Sequence, residues 1–401
     1  MSEGIETLVW DAAKGLVGFE SPSSTRLLFG NGMVAKVGEH TKALGGTRVL
    51  LVTDPGIVQA GHADRVRQSL ESAGLGVAVY DQVQENPTTQ DVARCVAAAQ
   101  SEKIDFLIGL GGGSSMDTAK GCNFILTNGG EMKDYWGVGK ATKPMLPLIA
   151  IPTTAGTGSE CQSFALIADA ATHQKMACGD SKAAARIALL DPELTLSQPR
   201  RVTACTGVDA LAHAVESAVT KKRTPISRIY SQEAFRLMVE AFPRVLADGQ
   251  DLDARGSMLL GAALAGVAIE NSMLGAAHSA ANPLTAHYGV IHGQAVGVML
   301  PHVVAFNAKE PGAQGIYAEL ASAGQLAAST SQPQGAVDAL VSYLTETLEA
   351  ADLPTKLNAW NLEESKIPAL ADEAAKQWTA SFNPRPVATD DFLALYRAAL
   401  A

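Results

Sequence analysis

Between residues 48 and 190 short, β-rich apolar runs alternate with helical stretches, and after about residue 196 no such run recurs. That order confines the chain to an α/β half followed by a helical half. Runs at 48–53, 76–80, 104–110, 145–151 and 186–190 predict strands, and helices over about 60–73, 91–102 and 113–126 separate the first four. Such alternation sets parallel strands side by side with helices on both faces, and ligands then bind beyond the carboxyl ends of the strands. Residues 164–167 and 175–178 predict a hairpin. At 401 residues the chain suits two domains, 1–195 and 196–401.

The third strand runs straight into Gly111-Gly112-Gly113-Ser114-Ser115-Met116-Asp117-Thr118-Ala119-Lys120. Glycines let a backbone approach a ligand closely, and the free N–H groups of a helix start attract phosphate. The stretch is not the GxGxxG fingerprint, because it follows a later strand and has Ser114 at the sixth position. It is not a Walker loop either, since Gly-Lys-Ser/Thr is missing. A tight turn with no ligand accounts for the bare motif as well. Asp117 suits a helix N-terminus, and Lys120 reads as solvated. The fourth strand ends in Pro152-Thr153-Thr154-Ala155-Gly156-Thr157-Gly158-Ser159-Glu160, a hydroxyl- and glycine-rich loop suited to polar contacts with a cofactor.

Asp209 and His213 lie in an alanine-rich stretch, 204–219, that lacks proline and predicts a helix. Their four-residue spacing presents a carboxylate and an imidazole on one face, as a claw for a borderline cation. Pairs of this kind are also common on solvated helix faces. Histidine is scarce, however, at eight in 401 residues, and His278, His287 and His292 fall within fifteen positions of one small-residue stretch. Buried imidazoles without a task are costly to satisfy. Asp209, His213, His278 and His292 together would leave room at a metal for a substrate oxygen, which a closed structural site would not.

The formal charge is 31 − 41 = −10 with no basic block, which argues against nucleic acid and anionic membrane as partners. Aromatic residues are 5%, too few for a platform that stacks single strands. No stretch reaches the roughly 20 uninterrupted apolar residues of a membrane span. Met1-Ser2-Glu3-Gly4-Ile5-Glu6 lacks the features of a secretion signal. Cys95, Cys122, Cys161, Cys178 and Cys205 show no CxxC spacing and read as reduced, mostly buried residues of a cytosolic protein.

Taken together, these stretches resemble the iron-containing (group III) alcohol dehydrogenase family, related in fold to dehydroquinate synthase and glycerol dehydrogenase. The resemblance runs through Phe29-Gly30, Val52-Thr53-Asp54, Asn86-Pro87, the glycine run 111–120 and the loop 151–160. It continues through Leu190-Asp191-Pro192-Glu193-Leu194, Gly207-Val208-Asp209, His292-Gly293, Leu300-Pro301-His302-Val303 and Asn383-Pro384-Arg385-Pro386, so it covers nearly the whole chain. It implies an α/β NAD-binding domain over 1–195 and an all-helical metal-binding domain over 196–401, dehydroquinate synthase-like in fold. Asp209, His213, His278 and His292 match the family's ligands for Fe2+ or Zn2+. Gly112, Gly113 and Ser114 match the pyrophosphate contacts, and Asn86, Thr154, Thr157 and Lys175 match further NAD contacts. Asp54 matches the position that receives the adenosine ribose hydroxyls, where a carboxylate repels a 2′-phosphate and so favours NAD over NADP. Phe164 matches a position lining the substrate pocket, and His302 reads as structural.

The chain departs from this pattern at Asn282, where many members carry a histidine suited to moving a proton; asparagine is no general base. The nearest spare imidazole in sequence is His287, the candidate catalytic residue for the proton, though it reads equally well as a core or surface residue. The implied activity is reversible hydride transfer between a small, primary alcohol and NAD, giving the aldehyde. Glycerol dehydrogenase- or maleylacetate reductase-like activity, or a nucleotide-binding relative without turnover, are the rival expectations. A cytoplasmic homodimer is the family expectation.

Overall fold

The computed structural model describes residues 25–172, 174–328 and 332–400. The N-terminal segment expected to be no secretion signal lies outside them. Among the described residues the strands are β1 (Arg26–Phe29), β2 (Arg48–Val52), β3 (Gly76–Tyr80), β4 (Phe106–Gly111), β5 (Gly137–Val138), β6 (Leu148–Pro152), β7 (Phe164–Ala168), β8 (Lys175–Gly179) and β9 (Ile187–Leu190). Six of them form one sheet in the order β1-β9-β6-β4-β2-β3, parallel at every pairing. The other three form a small sheet, in which β7 and β8 are the expected antiparallel hairpin.

Helices α1 (Val37–Ala43), α2 (Pro55–Gln59), α3 (His62–Ser72), α4 (Thr89–Ser101) and α5 (Gly113–Asn128) cover the parallel sheet. Both faces are therefore apolar. Leu50 and Val52 of β2 join one buried cluster, while Val49 and Leu51 join the other. Two elements escaped the sequence pattern. Asp54-Pro55-Gly56 starts a short helix: the Asp54 side chain accepts the Ile57 N–H and caps α2, with Pro55 in its first turn. Strand β1 is too short to show a period, and it pairs along β9 at the sheet edge.

The order of strands creates a switch point. From β2 the chain moves outward to β3, then returns to the other side of β2 as β4 and continues through β6 to β9. The crevice between the carboxyl ends of β2 and β4 is where such sheets bind ligands. Asp54 follows β2, while Gly111 ends β4 and Gly112 and Gly113 follow it, so all occupy that crevice. A cavity of about 470 Å³ lies beside it, lined by Pro55, Asp81, Gln82, Val83, Gln84 and Arg94.

From residue 200 onward the described elements are all helical: α6 (Arg200–Val219), α7 (Pro225–Ala247), α8 (Leu252–Glu270), α9 (Ala276–Tyr288), α10 (His292–Asn307), α11 (Pro311–Ala323), α12 (Pro333–Ala350), α13 (Ile367–Ala375) and α14 (Thr389–Leu400), with short 3-10 turns between. Small residues bring these helices close, as where Gly207 of α6 leaves room for the Phe242 ring of α7. Among the described residues α8 is the one helix long and apolar enough to cross a membrane, yet 72% of that stretch is buried. It is a core helix. Its flanks are occupied by α6 and α7, with Met258, Leu259, Ala262 and Ala265 in their shared core.

Candidate metal and nucleotide site

Helix α6 is buried at nearly every position from Thr203 to Val219, so Asp209 and His213 enter the interior rather than a solvated face. Helix α9 carries His278 in its first turn and ends at Gly289, whose φ of +62° reverses the chain. Three residues later α10 begins with His292. Gly293 makes that start possible: a Cβ there would overlap the Cys205 carbonyl of α6, so only glycine lets α10 sit against α6. The result returns His292 to Asp209.

The three imidazoles converge on a single atom. Asp209 Oδ1 lies 3.6 Å from His213 Nε2, 3.5 Å from His278 Nε2 and 3.9 Å from His292 Nε2. The His213 and His278 rings stack with centroids 4.9 Å apart, and His292 is tilted against His278 at 5.4 Å. Asp209, His278 and His292 each offer a ligand atom within 4.8 Å of the others. Asp209 Oδ1 and His278 Nε2 are buried without any hydrogen-bond partner. His292 is the most open member, its side chain 30% exposed.

The outer ring nitrogens are engaged. His213 Nδ1 donates to the Gly156 carbonyl at 3.2 Å. His278 Nδ1 lies 2.5 Å from Glu216 Oε2, and Glu216 Oε1 accepts the Ala277 N–H at 2.7 Å. Both imidazoles therefore turn Nε2 toward Asp209. Burial opposes charge on Asp209, but the surrounding imidazoles overcome it and hold the carboxyl well below the usual range. Burial likewise opposes the His278 imidazolium, yet the Asp209 and Glu216 carboxylates on its two sides raise it to about 9. Burial, aided by the Lys175 ammonium, holds His292 down at about 3. Burial also lowers His213, so the pocket keeps Asp209 ionised beside two imidazoles, His213 and His292, that are held neutral.

The nucleotide side is built from backbone. Gly112 caps α5 and Gly113 opens it. A Cβ on Gly113 would stand 2.8 Å from Thr157 Cγ2, and one on Gly112 would stand 3.6 Å from Thr154 Oγ1. Gly111 has φ of +140°, and its missing Cβ would be 3.2 Å from Asp54 Oδ2. Asp54, Gly111–Gly113, Thr154 and Thr157 are thus gathered at one crevice, with Ser114 in the first turn of α5. Asn86 is exposed with φ of +54°, and Lys175 is exposed at the start of β8.

The loop that follows β6 serves both sides. Thr154 and Thr157 face the glycines, and Gly156, packed against Thr206, supplies the carbonyl for His213. Lys120 fastens this loop and is not solvated. It is fully buried, and Nζ donates to the Ser159 carbonyl at 2.6 Å, Ser159 Oγ at 2.9 Å and the Phe164 carbonyl at 3.0 Å. Asp117 accepts the Ser159 hydroxyl at 2.8 Å instead of simply marking a helix start. Ser163 bonds Glu270 of α8 through its N–H and hydroxyl at 3.0 and 2.6 Å.

Phe164 meets Trp378 with ring centroids 5.9 Å apart, and Gly179 makes space for the Phe164 ring. Asn282 stands one turn after His278 and donates to Gln377 Oε1 at 3.0 Å. His287 is not brought to the cluster. It is half exposed on α9 and its Nε2 pairs with Glu373 at 2.8 Å. Nine positions beyond His278, at about 100° per residue, it faces the opposite side of the helix. Glu216, Lys120, Trp378 and Gln377 escaped the sequence reading. An acidic residue one turn after His213 in an otherwise apolar helix was the available signal for Glu216.

A parallel sheet with a glycine turn at its switch point, joined to a helical domain bearing a carboxylate–imidazole cluster, defines a two-part α/β-plus-helical class. Comparison with known proteins narrows this. The profile described as iron-containing alcohol dehydrogenase matches residues 24–192, and that of the C-terminal part of the Fe-containing alcohol dehydrogenase family matches 203–400. The chain belongs to the iron-containing alcohol dehydrogenase family. It is 35% identical to alcohol dehydrogenase 4 of Schizosaccharomyces pombe over 373 residues, 93% of this chain and 87% of the relative. It is also 35% identical to the NAD-dependent methanol dehydrogenase of Bacillus methanolicus over 374 residues, 93% and 97% of the two chains. The crystal structure of a 1,3-propanediol oxidoreductase aligns with a TM-score of 0.92 at 31% identity, covering 96% of this chain and 100% of that one.

Proposed function

We propose that this protein is an NAD-dependent, metal-containing alcohol dehydrogenase that passes a hydride between a small, primary alcohol and the nicotinamide, giving the aldehyde reversibly. The observation that carries this reading is the convergence of three imidazole nitrogens on one buried, unpartnered carboxylate oxygen. A buried polar atom left unsatisfied costs about 1–3 kcal/mol, and a divalent cation would take up the lone pairs of Asp209 Oδ1 and His278 Nε2 together. The residues present fit such an ion. Asp209, His213, His278 and His292 would hold Fe2+ or Zn2+, and the family's own name favours iron. When bound, the cation supplies Lewis acidity toward the substrate oxygen. NAD, when bound, supplies the hydride acceptor.

The chain's own groups do the rest. Gly112, Gly113 and Ser114 receive the pyrophosphate on the N–H groups that open α5. Asp54 takes the adenosine ribose hydroxyls and repels a 2′-phosphate, and Asn86, Thr154, Thr157 and Lys175 complete the NAD contacts. The Gly156 carbonyl and Glu216 engage the Nδ1 atoms of His213 and His278, so that both Nε2 atoms face inward. Phe164 and Trp378 form an apolar wall that keeps water from the reacting carbon. Asn282 is neutral and tied to Gln377, so it takes no proton from the alcohol. The named relatives do not favour the glycerol, maleylacetate or non-catalytic readings.

In this reading the domain division lies at 195/196, with NAD held by the first part and the metal by the second. We place the enzyme in the cytoplasm as a homodimer; five free, buried cysteines support a reducing compartment. Anaerobic purification, metal analysis and a panel of alcohols with NAD test the activity. Asp54→Asn keeps an acceptor for the α2 cap but removes the charge, so kcat/KM for NADP should rise relative to that for NAD. No rise would remove Asp54 from the ribose site.

A further inference from the structure

We propose that Glu216 is a positioning residue whose two carboxylate oxygens select the metal-binding tautomer of His278. The inference rests on the metal reading above and assigns a role to a residue outside the ligand set. Glu216 sits one turn after His213 on α6, with its side chain only 3% exposed. Its two oxygens have different tasks. Oε2 faces His278 Nδ1 at 2.5 Å, and Oε1 accepts the Ala277 N–H at 2.7 Å.

Two donors from consecutive residues therefore point at one side chain, and both need an acceptor. Only a carboxylate offers an acceptor on each side. The Nδ1–H of His278 is thereby fixed, and Nε2 is the nitrogen that gives up its proton when a cation binds. That Nε2 is buried without a partner and stands 3.5 Å from Asp209 Oδ1. The start of α9 is held by a neighbouring contact as well, since the Ala276 N–H reaches Asn383 Oδ1 at 3.3 Å, itself paired with Asn307. Gly275 leaves no space for adjustment: a Cβ there would stand 3.0 Å from both Glu216 Oε1 and Asn383 Oδ1. Asn383 thus holds the backbone before His278 besides Glu216, and Glu216 is the acceptor that faces Nδ1.

Glutamine at this position cannot serve both donors. If its oxygen keeps the Ala277 N–H, its amide N–H faces His278 Nδ1 and drives the proton to Nε2, where it blocks coordination. Alanine removes both contacts but imposes no tautomer. The test is Zn2+ affinity of the full-length protein, measured by competition with a chromophoric chelator. Glu216→Gln should weaken Zn2+ by about 10–100-fold, the usual span for the outer partner of a ligating histidine. Glu216→Ala should weaken it less than Glu216→Gln, although it deletes more contacts. NADH binding should stay within about two-fold in both. In the Zn2+-loaded wild type, nitrogen-15 NMR should show a protected His278 Nδ1–H signal, and the Gln variant should lose it. Wild-type Zn2+ affinity in Glu216→Gln, or a larger loss in Glu216→Ala, would overturn the role. So would absence of the Nδ1–H signal in the wild type, which needs no variant to fold. A wild type that binds no Zn2+ stoichiometrically would instead reject the metal reading itself.

Discussion

Gly158 and Gly266 meet backbone to backbone: a Cβ on Gly158 would lie 2.6 Å from the Gly266 Cα, and one on Gly266 would overlap the Gly158 carbonyl. The pair seats the loop after β6 on helix α8. Gly158 also needs its own φ of +63°, so the loop has no alternative path there. One and two residues earlier, this loop carries Thr157 toward the glycine turn and the Gly156 carbonyl toward His213.

Alanine at 266 should accordingly be harmful although it sits in a helix. Replacing a mid-helix glycine by alanine ordinarily gains about 0.5–1 kcal/mol, whereas forcing extra volume into a packed contact costs about 1–3 kcal/mol. Backbone faces backbone here, so the cost wins and urea denaturation should show a net loss. Gly261→Ala is the control, because its Cβ meets the flexible Met238 side chain at 2.6 Å and the Ala234 carbonyl only at 3.2 Å. Equal stability losses in the two variants would contradict this explanation of the contact.

The Glu160 carboxyl makes stability depend on pH in an unusual direction. It is fully buried, and burial outweighs the pull of Lys120 and raises it from 4.5 to about 7. The folded chain thus keeps a proton that the unfolded chain has released. This contribution is complete below 4.5 and is lost as the pH rises toward about 7. Glu160→Gln should flatten the decline in Tm over that window. A wild-type Tm that climbs across the same window as steeply as in the variant would rule out the assignment.

His287→Ala should leave kcat and the pH–rate profile unchanged. Its pair with Glu373 is half exposed, and pairs of that kind contribute about 0–1 kcal/mol. Steady-state kinetics decide the matter: a loss approaching the 10²-fold typical of acid–base assistance would return His287 to the proton route.

The alternating runs were enough to anticipate the parallel sheet, because every interior strand is apolar on both faces and stands out against its turns. The glycine run and the Asp209–His213 spacing were legible for the same reason: both are local. What escaped depends on partners distant in the chain. Lys120 reads as a surface residue until its acceptors appear, and they lie 39 and 44 residues away. Glu216 finds its partner 62 residues on, at His278. His287 shows the opposite error, since closeness in sequence to two site histidines hid a helix turned to the other side. Spacing gives the face a residue occupies, not what that face meets.

In the proposed metal site Asp209, His213, His278 and His292 hold one ion apart from the nucleotide, and His292 probes it with little side effect. Its ring is the most exposed of the four and opens α10, so its removal disturbs the packed interior least. Metal content and NADH affinity should be measured on the same anaerobic preparations of wild type and His292→Ala. The wild type should carry about one ion per chain, as a four-ligand site requires. The variant should lose that ion and all turnover while its NADH affinity stays largely intact. Undiminished metal in His292→Ala would contradict this site.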